Sequence, residues 1–273
     1  MEIHYKVGFM GVGNMAQAMI KGLTESKVIT PNHIYGTNRS EGKLQKAAEF
    51  FGIQSCANNE DLIDQCEVII LSMKPQDLSA AIDPIASAFR EGQIVISMAA
   101  GITLHTLEKK LPQCRIVRLM PNTPALIQRG MFGYVTSHEE DQALSTLVED
   151  LCEPLGSVFK MADEDQFEAF TVSCASGTGF VYELMMYWQD WIEERGFDPE
   201  DARKMVIETF LGAALLASQS KDTPLEELQN KVTSKKGITA AGLQSMRELE
   251  IERTLRYSFE KAALRNQELA KQE

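Results

Sequence analysis

The sequence predicts an α/β protein, with an N-terminal, Rossmann-like, doubly wound domain followed by an all-α C-terminal domain. A glycine-rich turn near the start of the chain joins an apolar stretch to a segment with helical periodicity. Short apolar runs then recur with helical segments between them, which is typical of a parallel sheet. Beyond residue 161 helical periodicity takes over. We therefore predict a Rossmann-like domain over 1–161 and a helical domain over 162–273.

The glycine-rich turn reads G-x-G-x-x-A, between a predicted strand at 5–10 and a helix that begins at Ala16. In a dinucleotide-binding turn, Gly11 makes the tight bend, Gly13 lets the backbone approach a pyrophosphate, and Ala16 lets the helix pack on the strand. The helix N-terminus offers N–H groups and a partial positive charge to phosphates. The alternative is an ordinary glycine turn before a surface helix.

A second strand, predicted at 33–37, ends at Asn38, Arg39 and Ser40. NAD-binding folds usually place Asp or Glu at this strand tip, to accept a hydrogen bond from the ribose 2′-OH. Here the tip holds no carboxylate, and Arg39 suits a 2′-phosphate by its charge and its fork of donors. The sequence therefore favours NADP over NAD, unless Ser40 only caps a helix and Arg39 is an ordinary surface residue.

The remaining elements of this domain follow in order. We predict helices at 43–51 and about 139–153, a short helix after Asn58 and Asn59, and strands near 52–54 and at 68–71, 93–97, 115–119, 132–136 and 157–160. Ligands bind at the carboxyl ends of parallel strands. The turns after the strands at 68–71 and 93–97 are therefore candidate cofactor contacts, namely Ser72, Met73, Lys74, Pro75, Ala99, Ala100 and Gly101.

Two of these turns suggest specific contacts. Lys74 suits a phosphate or ribose, or else is a surface lysine before a proline turn, and the small residues at 98–101 leave room for a nicotinamide ring. After the strand at 115–119, two prolines bracket Asn122 and Thr123. This stiff polar loop suits a ring or its amide, and the alternative is a simple structural turn.

In the C-terminal half the periodicity predicts helices at 163–174, 179–195, 199–219, 224–231, 239–248 and 250–271. Asp198 followed by Pro199 indicates an N-cap with proline at the first helical position. The helix at 179–195 has large apolar residues on more than one face, among them Trp188 and Trp191. Because such a helix must be buried, we expect a homodimer or larger homo-oligomer, rather than a single-chain bundle.

Composition excludes several classes of protein. The net charge of −12 argues against a sequence-independent grip on nucleic acid. The N-terminus does not resemble a signal peptide, and the apolar runs are too short to span a bilayer. The five cysteines are scattered, without a metal-ligand or disulfide pattern. We expect a reduced, cytoplasmic protein that binds no metal, membrane or nucleic acid.

Taken together, these turns resemble the pyrroline-5-carboxylate reductase family, which catalyses the last step of proline synthesis. The matching stretches span the chain and are residues 8–16, 38–40, 73–76, 99–103, 120–125, 176–179, 232–234 and 237–243. Two stretches depart from the family pattern. Lys235 and Lys236 replace the usual Pro-Gly, although lysine does not readily adopt the positive φ of glycine. Thr178 and Phe180 replace Ser and Pro.

The resemblance implies hydride transfer from NADPH, with NADH less preferred, to the C=N carbon of a cyclic imine, giving L-proline. It also implies that Thr239 hydrogen-bonds the ring nitrogen as the catalytic contact. The other substrate candidates are Met120, Pro121, Ser176, Ser234, Gly237 and Ile238. The cofactor set is completed by Asn14, Met15, Asn38, Ser40, Asn59 and Asn122.

Three other functions remain open from the sequence. The first is an NADP-dependent reductase of a related cyclic imine or oxo acid, which the altered loop at Lys235 and Lys236 favours. The second is a non-catalytic nucleotide-binding regulator. A purely structural protein has little support, because so many turns are of the ligand-binding type.

Overall fold

The computed structural model of the chain describes residues 3–138 and 140–270. They form two compact units. The first comprises the described residues up to Thr178 together with those from Ala262 onward, and the second is Gly179–Lys261. The first unit contains an eight-stranded sheet, whereas the described part of the second contains helices and turns. The predicted boundary at 161/162 stays a prediction.

The sheet has the strand order β3-β2-β1-β4-β5-β6-β7-β8. Its strands are β1 (Val7–Met10), β2 (Ile34–Thr37), β3 (Gln54–Ser55), β4 (Val68–Leu71), β5 (Ile94–Ser97), β6 (Arg115–Pro121), β7 (Gly130–Thr136) and β8 (Gly156–Lys160). All neighbours pair in parallel except β6 and β7. Because β1 pairs with both β2 and β4, the strand order reverses at β1, which is where such sheets bind ligands. The predicted doubly wound, Rossmann-like class is confirmed.

The apolar runs are explained by burial on both faces of the sheet. Along β4, Val68 and Ile70 belong to one core cluster, and Ile69 and Leu71 belong to another on the opposite face. A third cluster, formed by Met120, Val135, Phe167 and Phe170, covers the part of the sheet at β6 and β7. A strand buried on both faces cannot show the apolar-polar alternation of a half-exposed strand.

The first unit includes the helices α1 (Asn14–Glu25), α2 (Glu41–Phe51), α3 (Asn59–Gln65), α4 (Pro75–Ile82), α5 (Leu104–Lys110), α6 (Gln142–Cys152) and α7 (Glu164–Phe170). The sequence does not predict α4 and α5, because each directly follows a turn whose residues are typical of a ligand contact. Pro75 occupies the first position of α4. Thr103 caps α5 by accepting from the backbone N–H of Thr106. A π-helical turn, Thr171–Ala175, follows α7.

The remaining helices are α8 (Gly177–Glu193), α9 (Pro199–Gln219), α10 (Leu225–Lys231), α11 (Ile238–Glu248) and α12 (Ile251–Ala270). Asp198 caps α9 as predicted, accepting from the N–H groups of Glu200 and Asp201. No residue of α8 is buried within the described chain. Trp188 and Trp191 are 50% and 58% exposed. No helix in the described ranges has the length and apolar character needed to cross a membrane.

Candidate functional site

The turn between β1 and α1 requires glycine at its first position. Gly11 has φ +96°, a left-handed conformation that other residues rarely adopt. A Cβ at this position would also lie 3.3 Å from the backbone N of Met73 and the carbonyl C of Ser72, in the turn after β4. The Ser72 hydroxyl donates to the carbonyl oxygens of Met10 and Gly11. The turns after β1 and β4 therefore pack directly against each other.

The second glycine of the turn lies beside open space. Gly13 has an ordinary extended backbone, with φ −81° and ψ −176°. Apart from Gly13 itself and its two chain neighbours, no described atom lies within 4 Å of the position that a Cβ would occupy there. Gly13 is also the N-cap of α1, and in the described chain no side chain caps this helix. The packing of the described chain does not require glycine here, whereas a phosphate bound by the N–H groups of Asn14 and Met15 would require the open space.

The other residues of the turn anchor the helix. Ala16 is 1% exposed and belongs to the core, as a packing residue should. Met15 is half-buried against the same core cluster. At the tip of β2, Asn38 accepts from the N–H of Val12 at 3.2 Å and donates to the carbonyl of Ser40 at 3.1 Å. Asn38 therefore holds the tip of β2 against the glycine turn.

Arg39 is placed at the tip of β2, but it has a partner that sequence analysis missed. Its Nη2 lies 2.8 Å from Oδ1 of Asp77, in the first turn of α4. The Arg39 side chain is 83% exposed, whereas that of Asp77 is 33% exposed. The hydrogen bond to Asp77 and its negative charge raise the pKa of Arg39. No local pattern could show this pair, because its members are 38 residues apart in the chain.

The other cofactor candidates near this tip, Ser40, Asn59 and Lys74, differ in their hydrogen bonding within the described chain. Ser40 is the N-cap residue of α2 but makes no capping hydrogen bond with its side chain. Asn59, at the start of α3, accepts from the hydroxyl of Thr37 at 2.7 Å. Lys74 is exposed at the N-cap of α4 and forms no ion pair with the residues that the structure describes.

The turn after β5 is covered by the last turn of α12. Ala99 is 2% exposed, and Gly101 has φ +77°. A Cβ at Gly101 would lie 2.8 Å from Cβ of Leu269 and 3.2 Å from the backbone N of Ala270, both in the last turn of α12. The close approach of α12 therefore requires glycine at this position, which the sequence did not suggest.

At the end of β6 the Asn122 side chain has hydrogen-bond partners within the chain. This residue is 7% exposed. Its Nδ2 donates to the carbonyl of Cys174 at 3.1 Å, and its Oδ1 accepts from the N–H of Met131 at 2.8 Å. Asn122 thus joins the β6–β7 connection to the π-helical turn that precedes Ser176. Met120 is 7% exposed, and Pro121 is the last residue of β6, opposite Phe132.

A buried cation on β6 is a second feature that sequence analysis missed. Arg118 is 4% exposed, pairs with the carboxylate of Glu164, and lies 4.3 Å from the centre of the Phe167 ring. Burial lowers the pKa of Arg118, and the charge of Glu164 opposes this shift. The other oxygen of Glu164 accepts from the N–H of Leu104 at 2.7 Å. This pair therefore ties α7 to β6 and to the start of α5.

Ser234, Gly237, Ile238 and Thr239 lie together at the start of α11, in the helical unit. Gly237 is the N-cap, no described side chain caps the helix, and a Cβ at Gly237 would collide with Oγ of Ser234. Ile238 is 95% exposed. Thr239 is exposed, and its hydroxyl makes no hydrogen bond in the described ranges. Thr239 therefore does not act as the helix cap that a purely structural role would require.

The two departures from the family pattern have clear local structures. Lys236 has φ +59°, so a lysine adopts the left-handed conformation at the place where the family has glycine. Such a conformation costs about 1–2 kcal/mol for a residue with a Cβ. Phe180 packs against Phe259, with the ring centres 5.4 Å apart.

Comparisons with known proteins agree with this architecture. The family model described as pyrroline-5-carboxylate reductase dimerisation matches residues 164–269, and the model described as NADP oxidoreductase, coenzyme F420-dependent, matches residues 6–101. Pyrroline-5-carboxylate reductase 2 of Bacillus subtilis is 32% identical over 98% of this chain and 96% of its own length. The Pseudomonas aeruginosa reductase is 32% identical over 98% of this chain and 97% of its own length. The chain belongs to the pyrroline-5-carboxylate reductase family.

Solved structures of this family have the same fold. The chain is similar to the Coxiella burnetii reductase, with a TM-score of 0.90, 29% identity, and coverage of 98% of this chain and 99% of that one. It is also similar to a Plasmodium falciparum reductase solved with NADP bound, with a TM-score of 0.85, 23% identity, and coverage of 99% and 100%. The resemblance inferred from the turn motifs is confirmed.

Proposed function

We propose that this chain reduces 1-pyrroline-5-carboxylate to L-proline with a hydride from NADPH. Membership in the reductase family supports the reaction. The observation that carries the proposal is the turn at Gly13, where the uncapped N-terminus of α1 meets open space at the point where the strand order reverses. A dinucleotide pyrophosphate fits this arrangement by hydrogen bonding and by charge.

The cofactor contacts begin at this turn. The N–H groups at the start of α1 hold the pyrophosphate, and Arg39 binds the 2′-phosphate with its charged fork of donors. The exposed guanidinium of Arg39 at the tip of β2 supports a preference for NADPH, with NADH as the weaker cofactor. The turns after β4 and β5 complete the proposed set, with Lys74 as an additional cation and Ala99 and Ala100 as small neighbours of the nicotinamide.

The substrate contacts are proposed at the start of α11. The Thr239 hydroxyl meets the imine nitrogen, and Ser234 and the N–H groups after Gly237 receive the carboxylate. The absence of a hydrogen bond to the Thr239 hydroxyl in the described chain supports this role. When bound, NADPH supplies the hydride. Because a ring imine is readily protonated, the residues of this chain mainly hold and orient the substrate.

We propose that the chain assembles as a homodimer or larger homo-oligomer through the helical domain at 162–273. The match to a dimerisation family model over residues 164–269 supports this assembly, as do the exposed aromatic residues of α8. Exposed apolar area of this kind is uncommon on a monomer. We also propose a cytoplasmic location, which the five cysteines support because none of them forms a disulfide within the described chain.

The test of function is NADPH oxidation by the purified chain with synthetic 1-pyrroline-5-carboxylate, with L-proline measured as the product. Replacing Arg39 with Ala should raise the KM for NADPH at least tenfold, because one lost charge-assisted contact is worth about 1.5–3 kcal/mol. The KM for NADH should change little. Equal changes for both cofactors would remove Arg39 from the 2′-phosphate site, and absence of proline would refute the reaction.

A second candidate is the reduction of a related cyclic imine, favoured by the left-handed Lys236 in the loop before α11. Comparing kcat/KM for 1-pyrroline-5-carboxylate with that for six-membered piperideine carboxylates separates the two. A higher value for the six-membered ring would favour the second candidate. Tight NADPH binding without turnover of either ring would instead indicate a nucleotide-binding regulator.

A further inference from the structure

The ion pair between Arg39 and Asp77 places a carboxylate at the proposed 2′-phosphate site. Their side-chain atoms are 2.8 Å apart. Arg39 follows β2, and Asp77 lies in the first turn of α4, which follows β4; in the sheet β1 lies between β2 and β4. A phosphate that contacts the guanidinium of Arg39 in this position lies within a few ångströms of Asp77. The residues at the tip of β2 include no carboxylate, but in the folded chain Asp77 of α4 places one beside Arg39.

Of the two partners, Asp77 is the more fixed. Its side chain is 33% exposed, against 83% for Arg39, and it is attached to the first turn of a helix, where a negative charge is favourable. Arg39 has a long, exposed side chain that can turn toward a ligand. Its five N–H donors can serve two acceptors at once. Arg39 can therefore bind a ligand while it still donates a hydrogen bond to the carboxylate of Asp77.

This arrangement affects the two cofactors in opposite directions. The 2′-phosphate of NADPH is an anion, so Asp77 repels it and competes for Arg39. The 2′-OH of NADH is a neutral donor that needs an acceptor, and in many NAD-binding folds a carboxylate provides it. We propose that Asp77 sets the ratio of NADPH to NADH selectivity, by weakening NADPH binding and supporting NADH binding. This inference rests on the proposed function of Arg39.

The test is the substitution Asp77→Asn, which removes the charge and keeps the shape of the side chain. We expect the Kd for NADPH to fall about threefold to tenfold, because the substitution removes the repulsion between the carboxylate and the 2′-phosphate, which water and salt partly screen. The Kd for NADH should rise about twofold or more, because a neutral amide is the weaker acceptor. Both values are measured by titrating the purified protein with each cofactor, at low and at high salt. The gain for NADPH should shrink at high salt.

A matched control is Asp83→Asn. Asp83 also forms an ion pair at 2.8 Å, with Lys110, and its substitution changes the net charge by the same amount. It should leave the ratio of the two Kd values unchanged. Asp77→Ser serves as a second variant without the carboxylate and should shift the ratio in the same direction as Asp77→Asn.

The outcomes separate this inference from the proposed function. An unchanged ratio in both Asp77 variants, or weaker NADPH binding, would overturn the inference, since weaker binding would mean that Asp77 only holds Arg39 in place. If Arg39→Ala still weakens the binding of NADPH more than that of NADH, the proposed 2′-phosphate site is supported even where the inference about Asp77 fails. If Arg39→Ala affects both cofactors equally, the site assignment fails and the inference fails with it.

Discussion

The substitution Gly13→Ala tests whether the turn before α1 is shaped for the protein or for a ligand. The backbone of Gly13, at φ −81° and ψ −176°, is accessible to alanine. Apart from the residue itself and its two chain neighbours, no described atom lies within 4 Å of the added Cβ. The methyl group therefore disturbs nothing in the folded protein. It does enter the space from which a pyrophosphate would reach the N–H groups of α1.

The expected magnitudes follow from these facts. Alanine restricts the unfolded chain, which stabilises the fold by about 0.4–1 kcal/mol. It is a poorer N-cap than glycine by a comparable amount, so the net change in stability should stay within about 1 kcal/mol. A methyl group forced into the phosphate contact should cost about 1–3 kcal/mol. The Kd for NADPH should accordingly rise about 5-fold to 150-fold.

The assay pairs a calorimetric titration with NADPH and a thermal unfolding curve. For Gly13→Ala we expect weak binding at a melting temperature within about 4 °C of the parent protein. Gly11→Ala is the contrasting variant, because its positive φ and its 3.3 Å neighbours should make it lose stability as well. Parental NADPH affinity in Gly13→Ala would refute the assignment of this turn to the pyrophosphate. A large drop in melting temperature would show that Gly13 is needed for folding.

Four further predictions follow from the site and the core. Thr239→Ala should lower kcat/KM for the imine at least tenfold, about 1.4 kcal/mol, with an unchanged melting temperature; earlier melting at parental turnover would make Thr239 structural. Arg118→Ala should reduce the free energy of unfolding in urea by about 1.5–3 kcal/mol, because it removes the charged hydrogen bond to Glu164, whose own side chain is 36% exposed; a loss below 1 kcal/mol would contradict this. Light scattering at micromolar concentration should give at least twice the chain mass of 30.4 kDa, and a fully active monomer would refute the proposed assembly. Burial raises the pKa of Cys66 and that of Cys114 from 9.0 to about 12. Since the unfolded thiols lose their protons near pH 9 and the folded ones do not, stability should be level below pH 9 and fall between pH 9 and 12, by about 1.4 kcal/mol per pH unit for each thiol. In a Cys66→Ala variant the stability should fall less steeply with pH than in the parent protein, and an equal slope would show that the Cys66 thiol does not contribute to this fall.

The sequence by itself determined the fold class and most of the elements, because these depend on local patterns. Apolar runs such as Val68–Leu71 indicated strands buried on both faces. In the structure this strand is fully buried and pairs in parallel with both of its neighbours. The glycine turn was identified from its spacing and from its place between a predicted strand and a predicted helix, and the structure supplies its physical basis in the positive φ of Gly11 and the open space at Gly13. The short helices α4 and α5 escaped prediction because each has too few turns to show a clear period.

Which side chains meet was decided only by the tertiary structure. Asp77 reaches Arg39 across 38 residues, and the amide of Asn122 bonds the carbonyl of Cys174 across 52 residues. The last turn of α12 closes over Gly101, more than half the chain away. Periodicity reports which face of an element is buried, but not the neighbour that buries it. These pairings depend on how strands and helices pack against one another. The carboxylate of Asp77 beside Arg39 therefore could be identified only from the tertiary structure, which brings the first turn of α4 to the tip of β2.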